Sequence, residues 1–387
     1  MSAENIARWL ARPLKPLSLT EVPELGASVG TTIGDVRPEN QDRAVVARFT
    51  SVRRPDRSFV CFGLCDGMGG MADGSRCAEI ALSSFLFRLT RDVRGPAEEV
   101  VRSAALAANT EVNRQYRERG GTTLVAIVVF PGSAAAVSVG DSRIYEINAR
   151  KELKQVSTDD TIAGELNKLE GLNPSRSGWD TFAGQLAQFV GIGEGIEPRI
   201  YPVNRDLPYL LTSDGIHGYG MSPDTLRQLA ASNTTPQLLV SRLLQMSRWC
   251  GGSDNATVIS VSPLRADWSV PPAWSAGEWL EIWDSLGKIE LLAEQPSIPA
   301  TSQIGMPERA RYAEPRTKKS RKRTPGDPKK HPNSAAPAVR PPSTQGSLKI
   351  EIVDEKPLDT GSAAIIGSPD PTGKENTSGN DQQVKRE

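Results

Sequence analysis

Apolar and polar positions follow two alternating regimes through the first 263 residues. Short continuous apolar runs, rich in β-branched side chains, recur at 59–64, 122–130, 134–139, 143–147, 209–211 and 256–261. Runs of this length and composition predict buried strands. Between them lie stretches of helical period. Residues 75–91 set Ala78, Leu82, Phe85, Leu86 and Leu89 on one face, and 97–117 repeat that spacing. Residues 223–250 read as two helices: Pro223 suits a helix start, and Leu238, Leu239, Leu243, Leu244 and Met246 give a core stripe. Strand-rich layers with helices outside predict a β-sandwich flanked by helices, after an N-terminal extension at 1–25. The pattern weakens between 154 and 204, which reads as a long excursion from the sheets.

Beyond residue 263 the regime changes. A tryptophan-rich segment at 264–294 carries Trp274, Trp279, Ile282, Trp283, Leu286, Ile289, Leu291 and Leu292. It predicts an amphipathic helix that packs back on the domain, or one that docks a partner. From about 295 onward Pro, Ser, Thr, Lys and Arg dominate. Such a segment buries too little apolar surface to offset its ordering entropy, so a disordered tail is expected to residue 387. Within it, 316–330 form a basic cluster, either a solvated linker or an arm for an acidic partner. The β-prone island at 349–354 suits addition to a partner's sheet edge.

Charge and cysteine usage narrow the class. Lys and Arg total 46 and Asp and Glu total 46, a formal net charge of zero, which argues against nucleic-acid binding. No apolar run approaches the ~18 residues of a membrane-spanning helix, and the first residues lack the apolar core of a signal peptide. The four cysteines, Cys61, Cys65, Cys77 and Cys250, form no C-x-x-C pair. That usage fits a reducing cytoplasm and offers no zinc site.

The candidate chemistry lies in aspartates at strand ends. Asp66 ends the 59–64 run and opens a glycine-rich loop with Gly67, Met68, Gly69 and Gly70. Asp42, Asp141, Asp214 and Asp254 occupy comparable contexts. One such aspartate is more often a cap or turn residue; five ask for a common reason. Convergent buried carboxylates cost several kcal/mol each unless compensated, and an oxygen-only donor set favours Mg²⁺ or Mn²⁺.

Six short motifs run in order: Arg37 to Gln41-Asp42, Asp66-Gly67-Met68-Gly69-Gly70, Gly121-Thr122-Thr123, Gly140-Asp141-Ser142-Arg143, Ser213-Asp214-Gly215, and Asp254-Asn255. Together, over a domain at 26–263, they resemble the protein phosphatase 2C family of metal-dependent serine/threonine phosphatases, and Met68 resembles its bacterial branch. The resemblance implies a four-layer αββα sandwich of two antiparallel sheets with the metals at one end. It implies hydrolysis of phosphoserine and phosphothreonine in proteins by a water activated between two Mn²⁺ or Mg²⁺ ions, opposing a cognate serine/threonine kinase. In that scheme Asp66 bridges both metals, and the Gly67 carbonyl completes one shell. Asp214 and Asp254 hold the other metal, and Asp42 acts from the outer shell. Asp141 would serve a third, weaker ion, and Arg37 would grip the phosphate. The 154–204 excursion then corresponds to the family's flap, a small segment beside the site.

Several positions depart from the family's pattern. Gln41 replaces a common glutamate, Met68 cannot donate a proton, Gly218 replaces a third-metal aspartate of some members, and Asp160 stands where histidine is more usual. His217 is a candidate acid by proximity or an ordinary loop histidine. Cys65 lacks the Cys-x5-Arg loop of a cysteine phosphatase and reads as a packed thiol. The alternative to an enzyme is a weak or inactive scaffold that binds phosphoproteins.

Overall fold

In the computed structural model, residues 1–91, 95–162, 185–218, 220–232, 235–264 and 277–292 are described. They belong to one compact unit, Met1–Met306; the expected disordered tail and its basic cluster lie outside the described residues.

Among the described residues thirteen strands form two sheets in which every adjoining pair is antiparallel. In chain order they are β1 (Leu17–Val22), β2 (Ala27–Thr32), β3 (Arg43–Ser51), β4 (Phe59–Cys65), β5 (Leu124–Phe130), β6 (Ser133–Val139) and β7 (Arg143–Ile147). Next come β8 (Leu153–Gln155), β9 (Arg199–Pro202), β10 (Tyr209–Thr212), β11 (Ala256–Val261), β12 (Glu278–Asp284) and β13 (Gly287–Leu292). The first sheet has the order β1-β2-β11-β10-β7-β8, the second β13-β12-β3-β4-β5-β6-β9.

The helices are α1 (Ala3–Leu10), α2 (Gly74–Leu89), α3 (Ala97–Tyr116), α4 (Pro223–Ser232) and α5 (Pro236–Trp249), with one further turn at Asp214–His217. Helix α5 starts where its sequence directs: Thr235 accepts a hydrogen bond from Leu238 N, and Pro236 fills the first helical turn.

Three apolar clusters mark the three interfaces of a four-layer sandwich. Phe62, Leu64, Val125, Ile127, Leu211 and Ile259 fill the space between the sheets. Phe85, Leu86, Val101, Ala105 and Val137 join α2 and α3 to the second sheet. Leu210, Val258, Val240 and Leu243 join α5 to the first. Strands buried on both faces read as continuous apolar runs rather than alternating ones, which is why β4 and β5 are legible in the sequence.

Two expectations are corrected. The tryptophan-rich segment is not a helix where it is described: β12 and β13 form a hairpin that extends the second sheet beside β3. Its turn is set by Asp284, whose Oδ1 accepts from Leu286 N (2.8 Å) and Gly287 N (3.1 Å). Trp268 and Trp274 lie outside the described residues. Residues 1–25 are not a separate extension either. They supply α1, whose Ile6 and Leu10 join the α2 cluster, and the edge strand β1. The 154–204 excursion runs from β8 at one edge of the first sheet to β9 at one edge of the second, and its 163–184 portion is not described.

Candidate active site

The ends of β4, β10 and the starts of β3, β7 and β11 meet at one end of the sandwich. Each carries one of the aspartates. Asp66 follows the last residue of β4, Asp42 precedes β3, Asp141 sits in the β6–β7 turn, Asp214 follows β10 and Asp254 precedes β11. A chain leaving a buried strand there needs a turn, and aspartate with glycine supplies one.

A network of hydroxyls and amides holds these turns. The Thr123 Oγ1 accepts from Asp66 N (2.9 Å), Thr122 Oγ1 donates to Asp66 O (2.7 Å), and Met68 N donates to Gly121 O (3.1 Å). Gly121-Thr122-Thr123 thus clamps the Asp66 loop. Thr123 Oγ1 also lies 2.8 Å from Ser142 Oγ, which ties in the Asp141 turn. On the other side, Ser213 Oγ donates to Asp42 Oδ2 (2.8 Å) and accepts from Thr257 N (2.9 Å). Asn40 Oδ1 accepts from Asp42 N (3.0 Å), its Nδ2 donates to Thr31 Oγ1 (2.8 Å), and Thr31 meets Thr257 Oγ1 at 2.6 Å. Asn255 Oδ1 accepts from Gln41 N (2.8 Å). The sequence reading gave no role to Asn40 and Ser142, which lie within its motifs, and missed Thr31 and Thr257; the Thr31–Thr257 pair spans 226 residues and has no local signature.

Close backbone approach explains one glycine. A Cβ on Gly67 would stand 2.4 Å from Gly74 O and 2.8 Å from Gln41 O, so no other residue fits without movement.

The electrostatics are those of crowded anions. Burial pushes the Asp66 carboxyl well above its usual range, and Asp42, Asp214, Asp141 and Asp254 push it further. Asp214 is raised to about 7 by burial, then by Asp141, Asp254 and Asp42. Asp141 is raised to about 6 by burial and by Asp159. Burial also raises Asp42, although Thr257 and Ser213 oppose this. Asp42 Oδ1 is buried with no hydrogen-bond partner. Arg37 is the local cation: its Nη2 lies 2.7 Å from Asp254 Oδ2, and that bond raises the guanidinium further.

These observations fit a hard cation. The donors are all oxygen, the carboxylates resist ionisation where they stand, and one buried carboxylate oxygen is orphaned. Among the described residues no three acidic, His or Cys side chains converge tightly enough to close a ligand shell.

The departures find physical settings. Gln41 Nε2 donates to Glu39 Oε1 (2.6 Å), and Gln41 Oε1 lies where a Cβ on Gly74 would meet it at 3.0 Å. A Cβ on Gly218 would stand 2.6 Å from Asp214 O, so an aspartate there would displace the Asp214 turn. His217 Nδ1 is 2.7 Å from Thr212 Oγ1, and its ring meets Tyr145 edge-on. Burial and Arg143 hold its imidazole well below the usual range. It is a packed, neutral histidine. Cys65 is fully buried, and burial beside Asp66 and Asp42 pushes its thiol well up, which suppresses the thiolate a nucleophile needs.

No family model matches the chain. Relatives do. Protein phosphatase PhpP of Streptococcus pneumoniae is 27% identical over 250 residues, 62% of this chain and 98% of that one. The chain is similar to bacterial serine/threonine phosphatases of the protein phosphatase 2C type. Serine/threonine protein phosphatase PstP of Mycobacterium tuberculosis is 28% identical over 216 residues, 53% of this chain and 40% of that protein. Among solved structures, the PPM Ser-Thr phosphatase MsPP of Mycobacterium smegmatis, crystallised with cacodylate, superposes with a TM-score of 0.51 at 27% identity, covering 61% of this chain and 97% of that one. The αββα architecture of these phosphatases is therefore present here, and the β12–β13 hairpin is part of its second sheet.

Proposed function

We propose that this chain is a metal-dependent phosphoprotein phosphatase acting on phosphoserine and phosphothreonine. The observation that carries the reading is the meeting of four carboxylates, Asp42, Asp66, Asp141 and Asp214, that burial and one another hold above their usual range, one with an orphaned oxygen, beside the Arg37–Asp254 pair. Asp66, the Gly67 carbonyl, Asp214 and Asp254 would hold two Mn²⁺ or Mg²⁺ ions, with Asp42 in the outer shell and Asp141 toward a third. When bound, the ions offset the carboxylate charge and supply an activated water for in-line attack on phosphorus. Arg37 presents a planar fork to the phosphate oxygens once Asp254 is drawn to a cation. Thr122 and Thr123 keep the Asp66 loop from moving as charge builds. The phosphorylated proteins it acts on would be products of a serine/threonine kinase, and the tail from 295 would recruit substrates or regulators.

The test is hydrolysis of an aryl phosphate and a phosphothreonine peptide with EDTA, Mg²⁺ or Mn²⁺, using wild type and Asp66→Ala. Activity that requires a divalent ion and falls at least about 100-fold in the variant supports the reading. A parallel melt should show stabilisation by Mn²⁺ of about 2.7 kcal/mol at a concentration 100 times its Kd. Metal stabilisation without turnover would favour the scaffold.

A further inference from the structure

The turn that carries Asp141 is held from two sides. Thr123 and Ser142 hold the side toward Asp66. The other post is Asp160, a fully buried acid. Its Oδ2 accepts from Gly140 N (3.1 Å), and its own N donates to Gly140 O (2.9 Å). Its Oδ1 pairs with Arg199 Nε on β9, and its carbonyl accepts from Ala187 N (2.7 Å). Next to it, Asp159 takes Arg143 as a fork, with contacts of 3.0 and 2.7 Å, and Arg143 lies two residues beyond Asp141. Gly140 has φ +95°, and a Cβ there would press within 2.8 Å of Thr123 Cγ2, so this turn has little room to relax.

We infer that Asp160 is a positioning residue. Through Gly140 N and Arg199 it fixes the Asp141 turn in register with the Asp66 loop and joins that turn to the two described ends of the 154–204 segment. A neutral side chain could accept from Gly140 N but could not also neutralise Arg199; the carboxylate does both. In this chain, then, the pose of Asp141 depends on an ion pair to β9. The inference rests on the phosphatase reading for its catalytic consequence, but not for its effect on metal binding.

The experiment compares full-length wild type, Asp160→Ala, Asp160→Asn and Asp284→Asn. The last removes a similarly buried acid, paired with Arg12, that is not linked to the Asp141 turn. Mn²⁺ binding is read by calorimetry, and kcat and KM with an aryl phosphate are read at saturating Mn²⁺. Asp160→Ala is expected to weaken the lowest-affinity Mn²⁺ step about 10-fold and to lower kcat with KM held within about 2-fold. Asp160→Asn keeps an acceptor for Gly140 N but loses the ion pair to Arg199, and should recover only part of the metal affinity. Asp284→Asn should lower only the melting temperature. Unchanged Mn²⁺ binding in folded Asp160→Ala, or equal losses in Asp160→Ala and Asp284→Asn, would overturn the inference. If wild type binds Mn²⁺ yet turns nothing over, the phosphatase reading fails while the binding comparison still decides the role of Asp160.

Discussion

At the scale of single residues, the site divides into groups that face the chemistry and groups that only hold them. His217 tests that division. It lies three residues past Asp214, close enough in sequence to suggest an acid, yet its Nδ1 is engaged by Thr212 and its ring by Tyr145. Replacing it with Gln should cost about 1–2 kcal/mol of stability for the altered buried hydrogen bond. The effect on kcat at saturating Mn²⁺ should stay within about 3-fold, whereas an acid catalyst would cost roughly 100-fold or more. Steady-state kinetics beside a urea titration separate the two. The aspartates were legible in the sequence because each stands at a strand end, four of the five with glycine or asparagine beside it and Asp42 between Gln41 and Arg43. Thr31 and Thr257 were not, because a hydroxyl inside a strand becomes meaningful only once another strand's register places a partner opposite. Thr31 meets Thr257 through the β2–β11 pairing and nothing nearer in the chain.

At the scale of elements, the hairpin is where the sequence pattern misled. Trp279, Ile282, Trp283, Leu286 and Ile289 fit a helical stripe, but Trp279, Glu281 and Trp283 also alternate with Leu280 and Ile282, and the strand period wins. The overlooked signal was Asp284 followed by Gly287, a turn with φ +148° at the glycine. The hairpin brings a buried charge with it. Glu281 is 3% exposed and pairs with Arg48 across the β12–β3 ladder and with Lys288 Nζ at 2.7 Å. Burial alone would raise its carboxyl, but Arg48 and Lys288 together bring it below the ordinary range. A depressed native value means that the unfolded chain binds the extra proton first. The stabilisation is thus complete above the ordinary Glu value and is lost as pH falls through the native one. Glu281→Gln should cost about 2 kcal/mol at pH 7, less than the roughly 3–5 kcal/mol of a fully buried pair because both cations keep some solvent. The gap between variant and wild type should narrow as pH drops toward 3. Urea midpoints at several pH values check this, and a gap independent of pH would mean that Glu281 acts through packing alone.

At the scale of the whole molecule, the four layers end where the hairpin does, and this decides what the tail can be asked to do. Trp279, Leu280, Ile282 and Trp283 are all at most 5% exposed, with Leu280 and Ile282 against the helical layer and Trp283 in the space between the sheets. At roughly 1.5–3 kcal/mol per buried large side chain, their burial is of the same order as the ~5–15 kcal/mol that holds a whole domain folded. Area bookkeeping of this kind is an upper bound, yet even half of it would be felt. Loss of β12 would also leave β3, a nine-residue and almost wholly buried strand, as an open edge, which invites association with other chains. Two truncations should therefore behave very differently. Removing 295–387 should leave the melting temperature and aryl-phosphate turnover unchanged while lowering turnover of a physiological phosphoprotein, if the tail recruits. Removing 265–387 should give aggregated or unfolded protein despite keeping every aspartate of the site. Scanning calorimetry and size-exclusion chromatography on the two chains read the outcome. A 1–264 protein with the melting temperature of the full chain would show that the hairpin is an appendage, and that the sandwich closes at β3 without it.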